Sequence, residues 1–307
     1  MNLKIYYNEN YNIDLGFLNL FHPFEGSKFR KVMDRLQGNK YIEVIDPEIP
    51  VSEDEINSSV DSLQKLLLKK KYYILRALEV PRIPLLPFSW VDRKILLPMR
   101  WAVSGTIRSS FDALSGSSCW NLSGGYHHAS RARSEGFCIY NDISIALDIL
   151  IGKSMILSND KVLIIDIDAH HGNGNAHVYM DDKSVYLFDI YNNDIYPDNS
   201  YTKERLDVSV PLNSGTAGKE YLSRLTSSLE MINGDFKLAF VIAGTDVLES
   251  DPLGGLNLSI EECAERDFIV ASTLNNLSIP FVFLGGGGYS RDSVAAISEG
   301  IKKVCSI

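Results

Sequence analysis

The chain has 307 residues, 45% of them hydrophobic and 22% charged, an ordinary composition for a large globular α/β protein. Its formal net charge of -9 and pI of about 5.2 speak against a basic nucleic-acid footprint, so no direct nucleic-acid binding is expected. No apolar run reaches the ~18 residues of a membrane span, and the opening MNLKIYYNEN holds no apolar signal core, so a cytoplasmic location is expected.

In chain order, the first strand is predicted at 3–7 (LKIYY). Ser52 and Glu55 form a capping box before a predicted helix that runs through Leu78. Residues 79–98 carry four of the eleven prolines and read as an irregular loop. A helix near 100–115 then leads to a strand at 119–124 (CWNLSG) and a helix at 140–151. Strands follow at 161–167 (KVLIIDI) and 184–190 (SVYLFDI), then a helix at 218–232 and a strand at 238–244 (LAFVIAG). Ser259 and Glu262 form a second capping box before a helix at 260–276. A strand at 279–285 (IPFVFLG) and a helix at 291–304 close the chain. The central strands are continuous apolar runs, which marks strands covered on both faces. The β–α alternation predicts a mostly parallel sheet with helices on both sides. The four cysteines form no CxxC pair and read as reduced thiols.

In such folds ligands bind beyond the carboxyl ends of the strands. The residues that follow each strand are therefore the candidates for chemistry. Five of the six histidines fall between 127 and 177, which favours a site over scattered surface histidines. Asp168 and His170 stand two apart just past a strand, where i and i+2 point to the same face, so both can grip one ion. Asp246, after the strand 238–244, is the best third ligand. One histidine and two carboxylates with an open position suit catalytic Zn²⁺, and the oxygen-rich set also suits Fe²⁺ or Mn²⁺. Any one of these residues alone reads more simply as a helix cap or a hydrogen-bonded core histidine. It is the set of three, all at strand ends, that favours an ion.

His127 and His128 follow a strand and two glycines, and a histidine beside a metal-bound water makes a general base once a second group fixes its tautomer. Asp166 is available to orient one histidine and Asn173 the other. Asp166 can instead hold a monovalent cation. The run GGGGY (285–289) fits neither the P-loop nor the dinucleotide fingerprint, because no GK[ST] follows and the sixth position is Ser290. It makes room for a substrate, with Tyr289 placed to donate a hydrogen bond to an oxyanion. His171 has no role that the sequence assigns.

With these residues assembled, the chain resembles the zinc-dependent histone deacetylases. The matching pieces are GGYHHA (124–129), GFC (136–138), DIDAHHGNG (166–174), AGTDVLESDPLGG (243–255) and GGGGY (285–289), in the family's order. HPFEGSKFRKV near the start and DIYNNDIYPDN (189–199) resemble the class IV branch. The resemblance covers nearly the whole chain and implies one catalytic domain over 1–307. The implied fold is the three-layer arginase/deacetylase-like α/β fold with a central eight-stranded parallel sheet.

Carried over by motif, Asp168, His170 and Asp246 are implied as metal ligands, His127 and His128 as the catalytic pair, and Tyr289 as the oxyanion donor. Asp166 matches the partner of His127 and a potassium-site ligand, so K⁺ is implied as a structural ion. Gly136 and Phe137 match the acyl-lysine tunnel wall, and Tyr196 and Leu253 sit where other wall residues lie. Arg30 is matched to an arginine of the product-exit channel and His22 to the same entrance segment. Asn173 departs from class I, which has Asp there; an amide orients His128 without stabilising its charged form as an anion does. The resemblance implies hydrolysis of an Nε-acyl-lysine in a peptide or protein, with acetyl or a long fatty acyl group removed. A small acylated amine such as an acetylpolyamine is the alternative substrate. A two-manganese arginase-like reaction is disfavoured, since DAHHG lacks the needed second carboxylate and Val247 and Leu248 follow Asp246.

Overall fold

The continuous apolar runs fold as strands whose side chains alternate between two separate cores. In the strand Lys161–Asp166, Val162 and Ile164 pack to one side and Leu163 and Ile165 to the other. The strand Phe236–Ile242 repeats this with Leu238 and Phe240 against Ala239 and Val241. Burying both faces is what makes these strands read as unbroken hydrophobic runs.

The computed structural model describes residues 2–13 and 25–307. Its strands are β1 (Leu3–Tyr6), β2 (Ile42–Ile45), β3 (Ser118–Asn121), β4 (Lys161–Asp166), β5 (Val185–Asn192), β6 (Val208–Leu212), β7 (Phe236–Ile242) and β8 (Phe281–Leu284). They form one parallel sheet in the order β2-β1-β3-β8-β7-β4-β5-β6. The fold is thus the α/β arginase/deacetylase fold with an eight-stranded parallel sheet between helices. Neighbouring β7 and β4 end at Ile242 and Asp166, which are register partners, so the loops after them meet over the middle of the sheet.

β2 and β6 are the strands the sequence reading did not include, and both lie at sheet edges. β6 alternates buried and exposed residues and contains Pro211, which an edge strand tolerates because one side needs no ladder donor. β2 is mostly exposed and only four residues long.

Two helical expectations are corrected. The helix predicted through Leu78 is three short ones, Glu53–Ser58, Ser62–Leu67 and Lys71–Ala77. The capping box at Ser52 and Glu55 is present. The first break comes where the Ser58 hydroxyl bonds the Glu55 carbonyl and Asp61 turns extended, giving its N–H to the Arg131 carbonyl. The loop expected over 79–98 ends early: Phe88–Val91 is helical, Asp92–Leu96 is a π-helical turn, and the helix continues as Leu97–Leu114. Pro98 lacks an N–H and cannot continue an α-helical ladder without disturbing the turn before it, and the wider π turn accommodates that.

Under the middle of the sheet's carboxyl edge lies Arg266, fully buried on the helix Ile260–Asn276. It donates to the carbonyls of Ile167 and Gly244, the residues just beyond β4 and β7, at 2.9 and 2.6 Å, and pairs with Asp267 at 2.8 Å. Arg266→Met is expected to lower stability by about 3–5 kcal/mol, because it strands a buried carboxylate and two carbonyls. Urea unfolding of the two proteins checks this.

Candidate functional site

Asp168 and His170 lie just beyond β4 and Asp246 just beyond β7, as the strand-end rule predicts. One donor atom from each lies within 4.8 Å of the others, the only such group of three among the described residues. His170 Nδ1 is 3.2 Å from Asp168 Oδ1 and 2.9 Å from Asp246 Oδ2. The remaining carboxylate oxygens are held by backbone N–H groups. Gly287 donates to Asp168 Oδ2 at 2.7 Å, and Ala169 donates to Asp246 Oδ1 at 2.9 Å. Gly287 lies so close to both carboxylates that a Cβ there would overlap them, so this loop must be glycine.

The two carboxylates are completely buried. Burial, then the charge of Asp168, push Asp246 up to about 6. Two buried anions facing each other across an imidazole call for a cation. Donor spacings near 3 Å match the edge of a small tetrahedral site, whose ligand bonds run about 2.0–2.2 Å. The residues present therefore fit a divalent ion.

The adjacent histidines are separated by their partners. His127 Nδ1 lies 2.8 Å from Asp166 Oδ2, and His128 Nδ1 lies 2.7 Å from Asn173 Oδ1. Their rings are 4.1 Å apart. Burial opposes charge on both. In His127, Asp166 and Asp168 outweigh burial and hold the imidazole up at about 9. In His128, burial is joined by repulsion from His127 and His170, so it stays well below the ordinary histidine range. The two neighbouring imidazoles are thus pushed in opposite directions by their surroundings.

The loop bearing both histidines is anchored by Asp142, which accepts the N–H groups of Gly125 and Tyr126 at 2.9 Å each. His171 faces away from this group: it contacts Asp189 at 2.6 Å and Thr202 at 2.9 Å, tying the loop to β5 and the helix Ser200–Lys203.

His127, His128, Asp168, His170 and Tyr289 all line one cavity of about 390 Å³. So do the four expected wall residues, Gly136, Phe137, Tyr196 and Leu253. Gly136 lies flat against the His128 ring where a Cβ would overlap it. Phe137 has φ 64°, a left-handed conformation rare for a bulky residue, and its ring stands 5.5 Å from that of Tyr289. Its N–H is held by the Ala77 carbonyl at 2.9 Å. Tyr289 is placed by Asp251, which accepts its backbone N–H at 2.7 Å. Burial, then the charges of Asp246 and Asp168, hold its phenol well above the usual value, so it remains a donor.

Arg30 is not part of the cavity. Its side chain is 57% exposed and pairs with Glu9 at 2.5 Å. Lys28, two residues earlier, is buried at 1% exposed and donates to the Gly288 carbonyl at 3.2 Å. Burial lowers it to about 8, against the pull of Asp246 and Asp251. His22 lies outside the described residues. Leu78, Ile95, Met99, Ile13 and Phe29 were not singled out in the sequence and add apolar side chains to the cavity lining. Ile95 and Met99 are four apart across the π turn, a spacing no regular pattern in that proline-rich segment announces.

The Histone deacetylase domain family matches residues 22–305. Histone deacetylase 2 of Arabidopsis thaliana is 34% identical over 306 residues, covering 98% of this chain and 78% of that protein. The acetoin utilization protein AcuC of Staphylococcus aureus is 34% identical over 184 residues, covering 55% of this chain and 46% of its own length. In that comparison the chain matches less than half of its relative. Two solved structures share the fold with a TM-score of 0.74: an HDAC homologue complexed with SAHA (22% identity) and one from Aquifex aeolicus (21%). Each covers 100% of this chain and 84% of the other. Among the described residues no helix is long and apolar enough to cross a membrane.

Proposed function

The chain belongs to the histone deacetylase family, and from that premise we propose that it hydrolyses Nε-acyl-lysine amides with Zn²⁺ held by Asp168, His170 and Asp246. The observation that carries the reading is that Asp168 and His170, with Asp246 in the same donor group, share one cavity with His128 and Tyr289. The ion supplies Lewis-acid polarisation of the acyl carbonyl and acidifies water there.

The protein's own groups do the rest. Gly136, Phe137, Tyr196 and Leu253 line the channel for the lysine stem. Asn173 accepts from Nδ1 of His128, so Nε2 is free to take the proton of the attacking water. The Tyr289 hydroxyl donates to the carbonyl oxygen as charge builds on it. His128 then returns its proton to the lysine nitrogen as the C–N bond breaks, giving a free amine and a carboxylic acid. His127, fixed by Asp166, positions the water.

The class IV branch is our assignment within the family, supported by HPFEGSKFRKV and DIYNNDIYPDN. Long-chain fatty acyl removal is the associated expectation, supported by the apolar side chains of Leu78, Ile95 and Met99 in the cavity lining. K⁺ is assigned beside Asp166 and Asp189. Both are buried, the Asp189 Oδ1 has no hydrogen-bond partner, and burial outweighs the pull of His127 to raise Asp166 to about 7, with Asp189 adding to the rise.

The test is a panel of peptides bearing acetyl-, octanoyl- and myristoyl-lysine, with acetylated polyamine alongside, given to the zinc-loaded protein. Equimolar release of lysine amine and acid from a peptide is expected. Turnover of the polyamine alone, or of nothing, contradicts the reading. Met99→Trp is expected to lower kcat/KM for myristoyl-lysine by about tenfold or more relative to acetyl-lysine. An unchanged ratio would remove these apolar side chains from the account.

A further inference from the structure

Asn173 stands between two partners. Its Oδ1 is 2.7 Å from His128 Nδ1, and its Nδ2 is 2.7 Å from Glu135 Oε1. The chemistry of the three groups leaves one arrangement. A carboxylate only accepts hydrogen bonds, so Glu135 takes the NH₂ end of the amide. The carbonyl end must then face His128. A carbonyl also only accepts, so His128 donates through Nδ1–H and keeps its lone pair on Nε2.

His127 needs no such relay. Asp166 faces it directly, and either oxygen of a carboxylate accepts. An amide has a wrong way round, and turned over it would offer His128 an N–H and favour the unusable tautomer. Something must hold Asn173, and Glu135 is the group in contact with its NH₂.

We infer that Glu135 is a positioning residue that fixes the Asn173 amide and, through it, the tautomer of His128. The inference rests on the reading of His128 as the general base. Glu135 is suitably placed for a standing role. Its backbone is bridged to Cys138 in both directions, at 3.1 and 2.9 Å, and its side chain is only 28% exposed. It directly precedes Gly136, which packs on the His128 ring, so the same short turn carries the channel wall and the support for the base. Its second oxygen lies 3.6 Å from Arg133.

The experiment combines kinetics with a direct view of the ring. In the zinc-loaded protein, Glu135→Leu is expected to lower kcat by about 10- to 100-fold with KM little changed. Glu135→Gln still offers an accepting oxygen and is expected to stay within about threefold of wild type. In an Asn173→Asp background the carboxylate has no wrong way round and faces Glu135 as a like charge, so adding Glu135→Leu is expected not to lower kcat. Nitrogen-15 spectra of His128 should show the Nδ1–H tautomer in wild type and Glu135→Gln, and its loss in Glu135→Leu. An unchanged kcat and tautomer in Glu135→Leu would overturn the inference. So would an equal kcat loss in both backgrounds, which marks damage to the turn rather than to the relay. The tautomer is read without substrate, so a wild-type protein that turns over no acyl-lysine would sink the proposed reaction and leave this measurement to stand on its own.

Discussion

Asp246→Asn should lose its zinc and with it all measurable turnover. The substitution is nearly isosteric, and Ala169 can still donate to the remaining oxygen, as it does now to Oδ1 at 2.9 Å. What disappears is one of two buried anions that make the site a place for a cation. Carbonyl polarisation and water activation are lost together. Each is worth about 10²-fold or more, so a fall of about 10⁴-fold or more in kcat is expected. Metal analysis after gel filtration should find well under one zinc per chain, against one in wild type. A variant that binds zinc fully and turns over normally would exclude Asp246 from the site.

His128→Ala and Tyr289→Phe make the complementary pair: the ion stays and the chemistry fails. Neither side chain belongs to the donor group. His128→Ala removes the base that takes the water's proton and later protonates the leaving amine. Because it serves both halves of the reaction, a loss of about 10²–10⁴-fold in kcat is expected. Tyr289→Phe keeps the ring against Phe137 and removes only the hydroxyl. Loss of one oxyanion donor costs about 10²–10³-fold in kcat with KM little moved. Zinc content and melting temperature should match wild type in both. Near-normal rates in either would contradict its assigned role.

The centre of the site was legible because it obeys two local rules. Asp168 and His170 share a face by strand periodicity, and Asp246 follows the next strand in the sheet. The residues alone left open which of Asp166 and Asn173 served which ring; the family resemblance implied His127 with Asp166 and His128 with Asn173, and the structure has those pairs at 2.8 and 2.7 Å. Helix periodicity explains why Lys28 is buried while Arg30 is exposed. Residues two apart on the helix Lys28–Leu36 face opposite sides, so only one of them can point inward. Glu135 carries no signal of its own, because one acid in SEGFC reads as an ordinary surface residue until the turn folds it against Asn173. The edge strands were missed for a related reason: half-exposed β2 and proline-containing β6 lack the continuous apolar runs that mark the interior ones.

The most direct test of the account is turnover of an acyl-lysine peptide as zinc is added back to metal-free protein. Free lysine amine and carboxylic acid are expected in equal amounts, at a rate that rises in proportion to bound zinc and levels off at one ion per chain. Hydrolysis by the metal-free protein at the same rate, or none at full zinc occupancy on any acyl length, would contradict it.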